Sequence, residues 1–221
     1  MNLRHTLCAG LFLVLLAVAT AFAQGTFQNL DFEEANPIPI VGSPYYPHEV
    51  AASNAFPGWT VSAGYIFHDT FSLSGGSITI FDGTQFSSAP SLQGIYSAYL
   101  ASFNYPEYGY SISLGQTGQI PLWAQSITFW GDIGGMQITF NGQPLSFSTF
   151  GRGTNYTVYG ADVSAFAGQT GELLFTVPAR VASSTLDNIQ FSSQPTPEPA
   201  VLSLLALGSL LFGWQWRRRK G

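Results

Sequence analysis

Along residues 24–194 the apolar side chains fall on alternate positions in short runs, and turn residues separate the runs. Ile78 and Ile80 share one face of GGSITIF, Ile127 and Phe129 one face of QSITFW, and Met136, Ile138 and Phe140 one face of MQITF. Leu173, Phe175 and Val177 alternate in GELLFTV, as do Ile189 and Phe191 in DNIQF. A period of two puts such residues on one side of a pleated strand and their polar neighbours on the other. Asn141-Gly142 separates MQITF from LSFSTF. Both residues tolerate positive φ, which predicts a tight hairpin turn. ADVSAFAGQ is the one stretch that reads as a helical turn, and it is too short and Gly-flanked to become a helix of consequence. About nine or ten short strands at this spacing predict an all-β fold, an antiparallel two-sheet β-sandwich of the jelly-roll kind.

Two segments break the pattern. Residues 33–58, EEANPIPIVGSPYYPHEVAASNAFPG, contain five prolines and no sustained period, so they read as a surface loop. NYPEYGY, residues 104–110, is a shorter aromatic loop. Loops of this length on a sandwich are where binding side chains usually sit.

The ends of the chain follow a different logic. Residues 1–23 have a short basic start, an apolar stretch over residues 7–18, and Ala21-Phe22-Ala23 before Gln24. That order reads as a secretory signal peptide cleaved after Ala23. At the other end, Pro197-Glu198-Pro199 precedes an apolar run over residues 200–216, and Arg217, Arg218, Arg219 and Lys220 follow it. As a helix at 1.5 Å per residue that run spans about 25 Å, against about 30 Å for a bilayer core. It is a single transmembrane helix at the lower limit of length, with Trp214 and Trp216 at the interface and the basic cluster holding its end in the cytoplasm. Spacing alone leaves a permanent anchor and a temporary one open. Three parts result: residues 1–23 a signal peptide, 24–194 one β-sandwich domain, and 195–221 a sorting segment.

Charge divides along the same boundaries. Eleven of the twelve acidic side chains but just two of the seven basic ones, Arg152 and Arg180, fall within residues 24–194, leaving that part at about −9. A domain so depleted in cations cannot displace the counterions of a nucleic acid, and that partner is excluded. The single cysteine, Cys8, lies in the signal segment, so the exported part has neither a disulfide nor a thiolate and is held together by packing.

Several stretches together resemble a family of exported bacterial proteins. QNLDFEE, PGWTV, SISLGQTGQIPLWAQSITFW, ITFNGQPLSF with GADVSAFAGQTGELLFTV, and LDNIQFSSQPTPEPA occur in that order. The tail resembles a PEP-CTERM sorting domain, and the domain before it is similar to the galactose-binding-like jelly rolls found among carbohydrate-binding modules. The resemblance implies recognition by an exosortase, removal of the tail, a transient stay in the inner membrane, and release to the cell envelope or extracellular matrix. It also implies that a structural Ca²⁺ joins the first and last strands, at Glu33 and Asp187 with Asp31 nearby. Hard oxygen ligands on a negative domain suit that ion. The same acids equally suit ordinary solvation.

For catalysis the inventory is thin. His48 and His68 are the histidines of residues 24–194, and they sit in separate segments without the spacing of a metal motif. No G-x-S-x-G elbow or P-loop is present. Glu33 and Glu34 are adjacent and point to opposite faces of a strand, although a carboxylate pair built from distant residues stays open. Binding is the stronger reading. Exposed aromatic rings stack on sugar faces, and Tyr45, Tyr46 and Trp59 near the first long loop, with Tyr105, Tyr108 and Tyr110 in the second, are the candidates. Trp59 also reads as core, and Tyr45 and Tyr46 as clamps for their own loop. The expected function is adhesion or binding of an extracellular polysaccharide. A structural matrix protein without a defined ligand is the alternative, and a secreted hydrolase a more distant one.

Overall fold

The computed structural model describes residues 26–70, 76–83, 91–102, 109–180 and 183–196. The expected signal peptide with its Ala23 junction, Tyr105, Tyr108, and the tail from Pro197 through Lys220 lie outside the described residues. Among the described residues, no helix is long and apolar enough to cross a membrane.

Twelve strands make up the described fold. They are β1 (Thr60–Ser62), β2 (Tyr65–His68), β3 (Ser77–Phe81), β4 (Ser97–Ala101), β5 (Ile112–Gln119), β6 (Ser126–Gly131), β7 (Gln137–Phe140), β8 (Gln143–Pro144), β9 (Phe147–Arg152), β10 (Thr157–Asp162), β11 (Thr170–Val177) and β12 (Ser183–Ser192). One sheet has the order β1-β5-β11-β7-β8, the other β2-β3-β4-β12-β6-β10-β9. Every alternating run named above forms a strand with its apolar side chains buried, Met136 lying just ahead of β7. Asn141 and Gly142 take φ of 49° and 74°, as a hairpin between β7 and β8 requires. ADVSAFAGQ forms a single 3-10 turn over Ser164–Phe166.

Two expectations need correction. The strand pairing is antiparallel except at one edge, where β2 runs parallel to β3. Residues 33–58 are also less irregular than their prolines suggest: they close one turn of α-helix, α1 (Ala52–Ala55), and bridge through Pro39 to Val50 and through Glu49 to Phe67. The proline spacing hides these elements because neither is long enough to show a period.

The core fills the space between the sheets. Ile112 and Leu114 of β5, Phe129 of β6, Phe140 of β7 and Phe175 and Val177 of β11 are completely buried, and Phe175 meets Phe129 edge-on at 5.8 Å between ring centroids. Each such side chain contributes about 1.5–3 kcal/mol by leaving water. Gln116 is the polar exception on the inner face of β5. Its side chain accepts from Gln28 N at 2.6 Å and donates to Gln28 O at 3.0 Å, so the incoming N-terminal segment is held as if by another strand.

That segment decides where the acids go. Asn29 and Phe32 adopt left-handed φ of 48° and 61°, which folds NLDFEE into a compact turn with Phe32 fully buried. Phe32 packs on Phe56 and Trp59, and Ile189 N donates to Leu30 O at 2.9 Å, so the turn is tied to β12. β12 itself pairs with β4 through Leu186 and with β6 from Asp187 onward, with a bulge between Asp187 and Gln190 and Asn188 at φ 45°. The bulge lets one strand serve two neighbours, and it brings LDN beside NLDFEE.

Candidate functional site

Two constellations stand out on this scaffold. The first is the seam between the N-terminal turn and β12. Asp187 is wholly buried: its Oδ2 accepts from Gln93 N at 2.8 Å and from Ser97 Oγ at 2.7 Å, and its Oδ1 from Asn188 N at 2.6 Å. Burial pushes its carboxyl up to about 7 despite those three donors, and the charge of Glu33 adds to the rise. Glu33 Oε1 accepts from Ile95 N at 2.8 Å and Tyr96 N at 3.0 Å. Gly94, just before them in sequence, has φ 61°, and a Cβ there would collide with the Glu33 carboxylate. The chain at residues 91–97 is therefore drawn over the seam by two carboxylates, at a point where only glycine fits.

This geometry bears on the calcium that the resemblance implies. Glu33 and Asp187 do meet across the same short loop. The loop also carries a buried oxygen without a hydrogen-bond partner, Gln93 Oε1, in a residue whose backbone N–H already bonds Asp187. Two carboxylates and an orphaned amide oxygen are the donor set a hard divalent cation takes. Asp31 is placed differently. It touches the group through a long 3.5 Å contact to Glu33 N and lines a separate cleft with Asn29 and Asn188.

The second constellation is a cleft of about 420 Å³ where the β9–β10 hairpin meets the end of β6. Asp132, Arg152, Asn155, Tyr156 and Tyr159 are among its lining residues. Tyr156 is fixed by a parallel stack on Trp130, with centroids 4.0 Å apart and planes 5° from parallel, and it packs against Gly153 on the hairpin. Gly153 N donates to Tyr156 O at 2.9 Å and closes the turn. Aromatic surface, an amide, a carboxylate and a guanidinium thus face one preformed hollow. Reasoning from loops missed it: the hairpin is short, and Trp130 and Tyr156 look like unrelated positions until β6 and β10 are paired in register.

The aromatics expected to bind that fall among the described residues are dispersed. Tyr45 packs edge-on against Tyr65 and Phe67, at 4.8 and 5.7 Å between centroids, and its hydroxyl lies 3.3 Å from that of Tyr65. It clamps the first long loop to β2. Tyr46 is 58% exposed on the same loop, and Tyr110 stands apart beside β5. Trp59 is in the core, 7% exposed, with Nε1 donating to Asn29 O at 2.9 Å. It offers no open face to a sugar, because the turn at Phe32 and the ring of Phe175 cover it.

Residues 195–220 match the model of the PEP-CTERM protein-sorting motif. A motif of this kind implies an exported protein that an exosortase processes at the membrane. No curated protein matches the chain. Among solved structures, TmCBM61 in complex with beta-1,4-galactotriose aligns at 15% identity and a TM-score of 0.39, covering 77% of this chain and 99% of that one. A family 11 carbohydrate-binding module from Clostridium thermocellum aligns at 10% identity and a TM-score of 0.36, covering 65% and 94%. The enzymatically active domain of bacteriophage CBA120 tailspike protein 4 aligns at 15% identity and 0.37, covering 66% of this chain and 21% of that one. The two-sheet architecture rests on the strand pairing itself, and any ligand rests on the residues of this chain.

Proposed function

We propose that this chain is exported by its N-terminal signal, held at the inner membrane by the helix at residues 200–216, and released by exosortase to the envelope or extracellular matrix, where its sandwich binds a glycan. The preformed cleft carries the binding half of this reading. Sugars need a rigid aromatic surface and fixed polar groups, and the cleft supplies both on paired strands. The matched tail supports the sorting half. The seam of Glu33, Asp187 and Gln93 holds a structural calcium ion that ties residues 91–97 to the first turn and the last strand. The cleft is lined by one carboxylate, Asp132, beside its aromatic, amide and guanidinium groups, which supports the reading of a binding module.

The test is affinity electrophoresis of the protein through gels containing the host's own extracellular polysaccharide. Retardation that Tyr156→Ala and Arg152→Ala both abolish supports the cleft. Retardation sensitive to Tyr46→Ala instead moves the site to the long loop. No retardation in any extracellular glycan favours a structural matrix protein. For the sorting half, the mass of the protein with and without exosortase decides whether residues 1–23 and the tail are removed.

A further inference from the structure

We infer that His68, Asp69 and Asp82 form a binding site for a divalent transition cation of the zinc class, separate from the calcium seam and from the glycan cleft. The three residues come together at the ends of the edge strand β2 and the strand β3 that runs parallel to it. His68 closes β2 opposite Ile80 of β3, Asp69 follows it, and Asp82 follows the last residue of β3. Asp69 N donates to Ile80 O at 3.1 Å and Asp82 N to Asp69 Oδ1 at 3.0 Å, while His68 N donates to His48 O at 2.9 Å. The backbone that carries all three side chains is thereby fixed before any ion arrives.

The donor atoms converge. His68 Nε2 lies 3.3 Å from Asp69 Oδ2 and 3.2 Å from Asp82 Oδ2, and one ligand atom from each residue falls within 4.8 Å of the others. A tetrahedral ion bound at about 2.0–2.1 Å sets its ligands roughly 3.3 Å apart, which is the spacing found for both histidine–carboxylate pairs. An imidazole and two carboxylates leave such an ion electrically neutral. The nitrogen donor selects against calcium, which takes oxygen, and toward zinc-like metals. Asp69 is 2% exposed, whereas the side chains of His68 and Asp82 are 26% and 18% exposed, so the group is anchored on its buried side and open to water on the other.

The experiment uses the full chain, purified and stripped of metal with a chelator. Equilibrium dialysis against Zn²⁺ is expected to retain one equivalent, and Co²⁺ to give the visible absorption of a four-coordinate site that added Zn²⁺ removes. His68→Ala and Asp82→Asn should each weaken zinc retention at least about tenfold, the scale at which altering the surroundings of a bound metal is felt. Glu172→Gln, at an exposed position on the other sheet, should leave it unchanged. Failure of the unsubstituted chain to retain zinc or to give the cobalt spectrum overturns the site, with His68 then simply a hydrogen-bond partner of the two acids. Retention that survives both substitutions overturns it equally. The cobalt measurement needs no variant and stands even where a substitution impairs folding.

Discussion

The carboxylate of Asp187 accepts a 2.7 Å hydrogen bond from the Ser97 hydroxyl at a position where no part of Asp187 reaches solvent. Its carboxyl is raised from 3.8 to about 7, chiefly by burial. The folded chain therefore holds this proton more tightly than the unfolded chain does. The sign follows: the stabilisation is complete below pH 4 and is lost as pH rises through about 7. Over that window the metal-free protein should lose stability on the order of 4 kcal/mol, from about three pKa units at 1.36 kcal/mol each. Urea unfolding in chelator at pH 5 and at pH 8.5 measures it. Asp187→Asn should flatten the difference, and equal stability of the unsubstituted protein at both pH values would falsify the assignment.

Calcium should reverse that loss. Above pH 7 the Asp187 carboxyl has lost its proton, and the seam offers the Glu33 and Asp187 carboxylates to the ion, with Gly94 leaving room for that of Glu33. Calcium at a hundred times its dissociation constant would add about 2.7 kcal/mol to the folded state. Thermal unfolding with calcium and with chelator should differ accordingly for the unsubstituted chain. The two traces should coincide for Glu33→Gln.

Trp59 separates packing from binding. Its indole is enclosed by Phe32 and Phe175, and its Nε1–H bonds Asn29 O at 2.9 Å. Trp59→Ala should cost about 3–5 kcal/mol, as removal of a large core ring does. Trp59→Phe should cost less: it removes one of the two hydrogen bonds to Asn29 O and leaves the one from Phe32 N, for about 0.5–1.5 kcal/mol. Under conditions where Trp59→Phe is folded, its migration through glycan gels should match that of the unsubstituted protein. Retarded migration lost in that variant alone would place the indole at a ligand.

The sheets were legible in the sequence because their signal is local: Ile138 and Phe140, or Leu173 and Phe175, announce a buried face within a few residues. Glu33 and Asp187 were legible as a pair through resemblance, not through spacing, since they lie far apart in the chain. What escaped was whatever depends on register. Trp130 stacks on Tyr156 because Trp130 pairs with Val158 across β6 and β10. His68 reaches Asp82 because β2 and β3 run parallel, a pairing that no turn motif marks. Trp59 was ambiguous for a different reason: an aromatic opening a strand points inward or outward according to the tertiary fold, and here the left-handed turn at Phe32 closes over it.

The hairpin that builds the cleft offers the sharpest separation of stability from binding. Gly153 sits against the ring of Tyr156, and a Cβ at that position would run into the ring carbons. Gly153→Ala must therefore move Tyr156 off its stack with Trp130 or bend the turn between β9 and β10. The hairpin lies at the edge of the seven-stranded sheet, so the strain should cost about 1–3 kcal/mol, as overpacking usually does, and leave the fold intact. Glycan retardation should fall as far as in Tyr156→Ala, because both substitutions remove the same fixed surface. Tyr110→Ala, at an exposed ring remote from the hairpin, should change neither quantity. A Gly153→Ala protein that unfolds at the same urea concentration as the parent and migrates identically would mean that the stack contributes nothing to a ligand site.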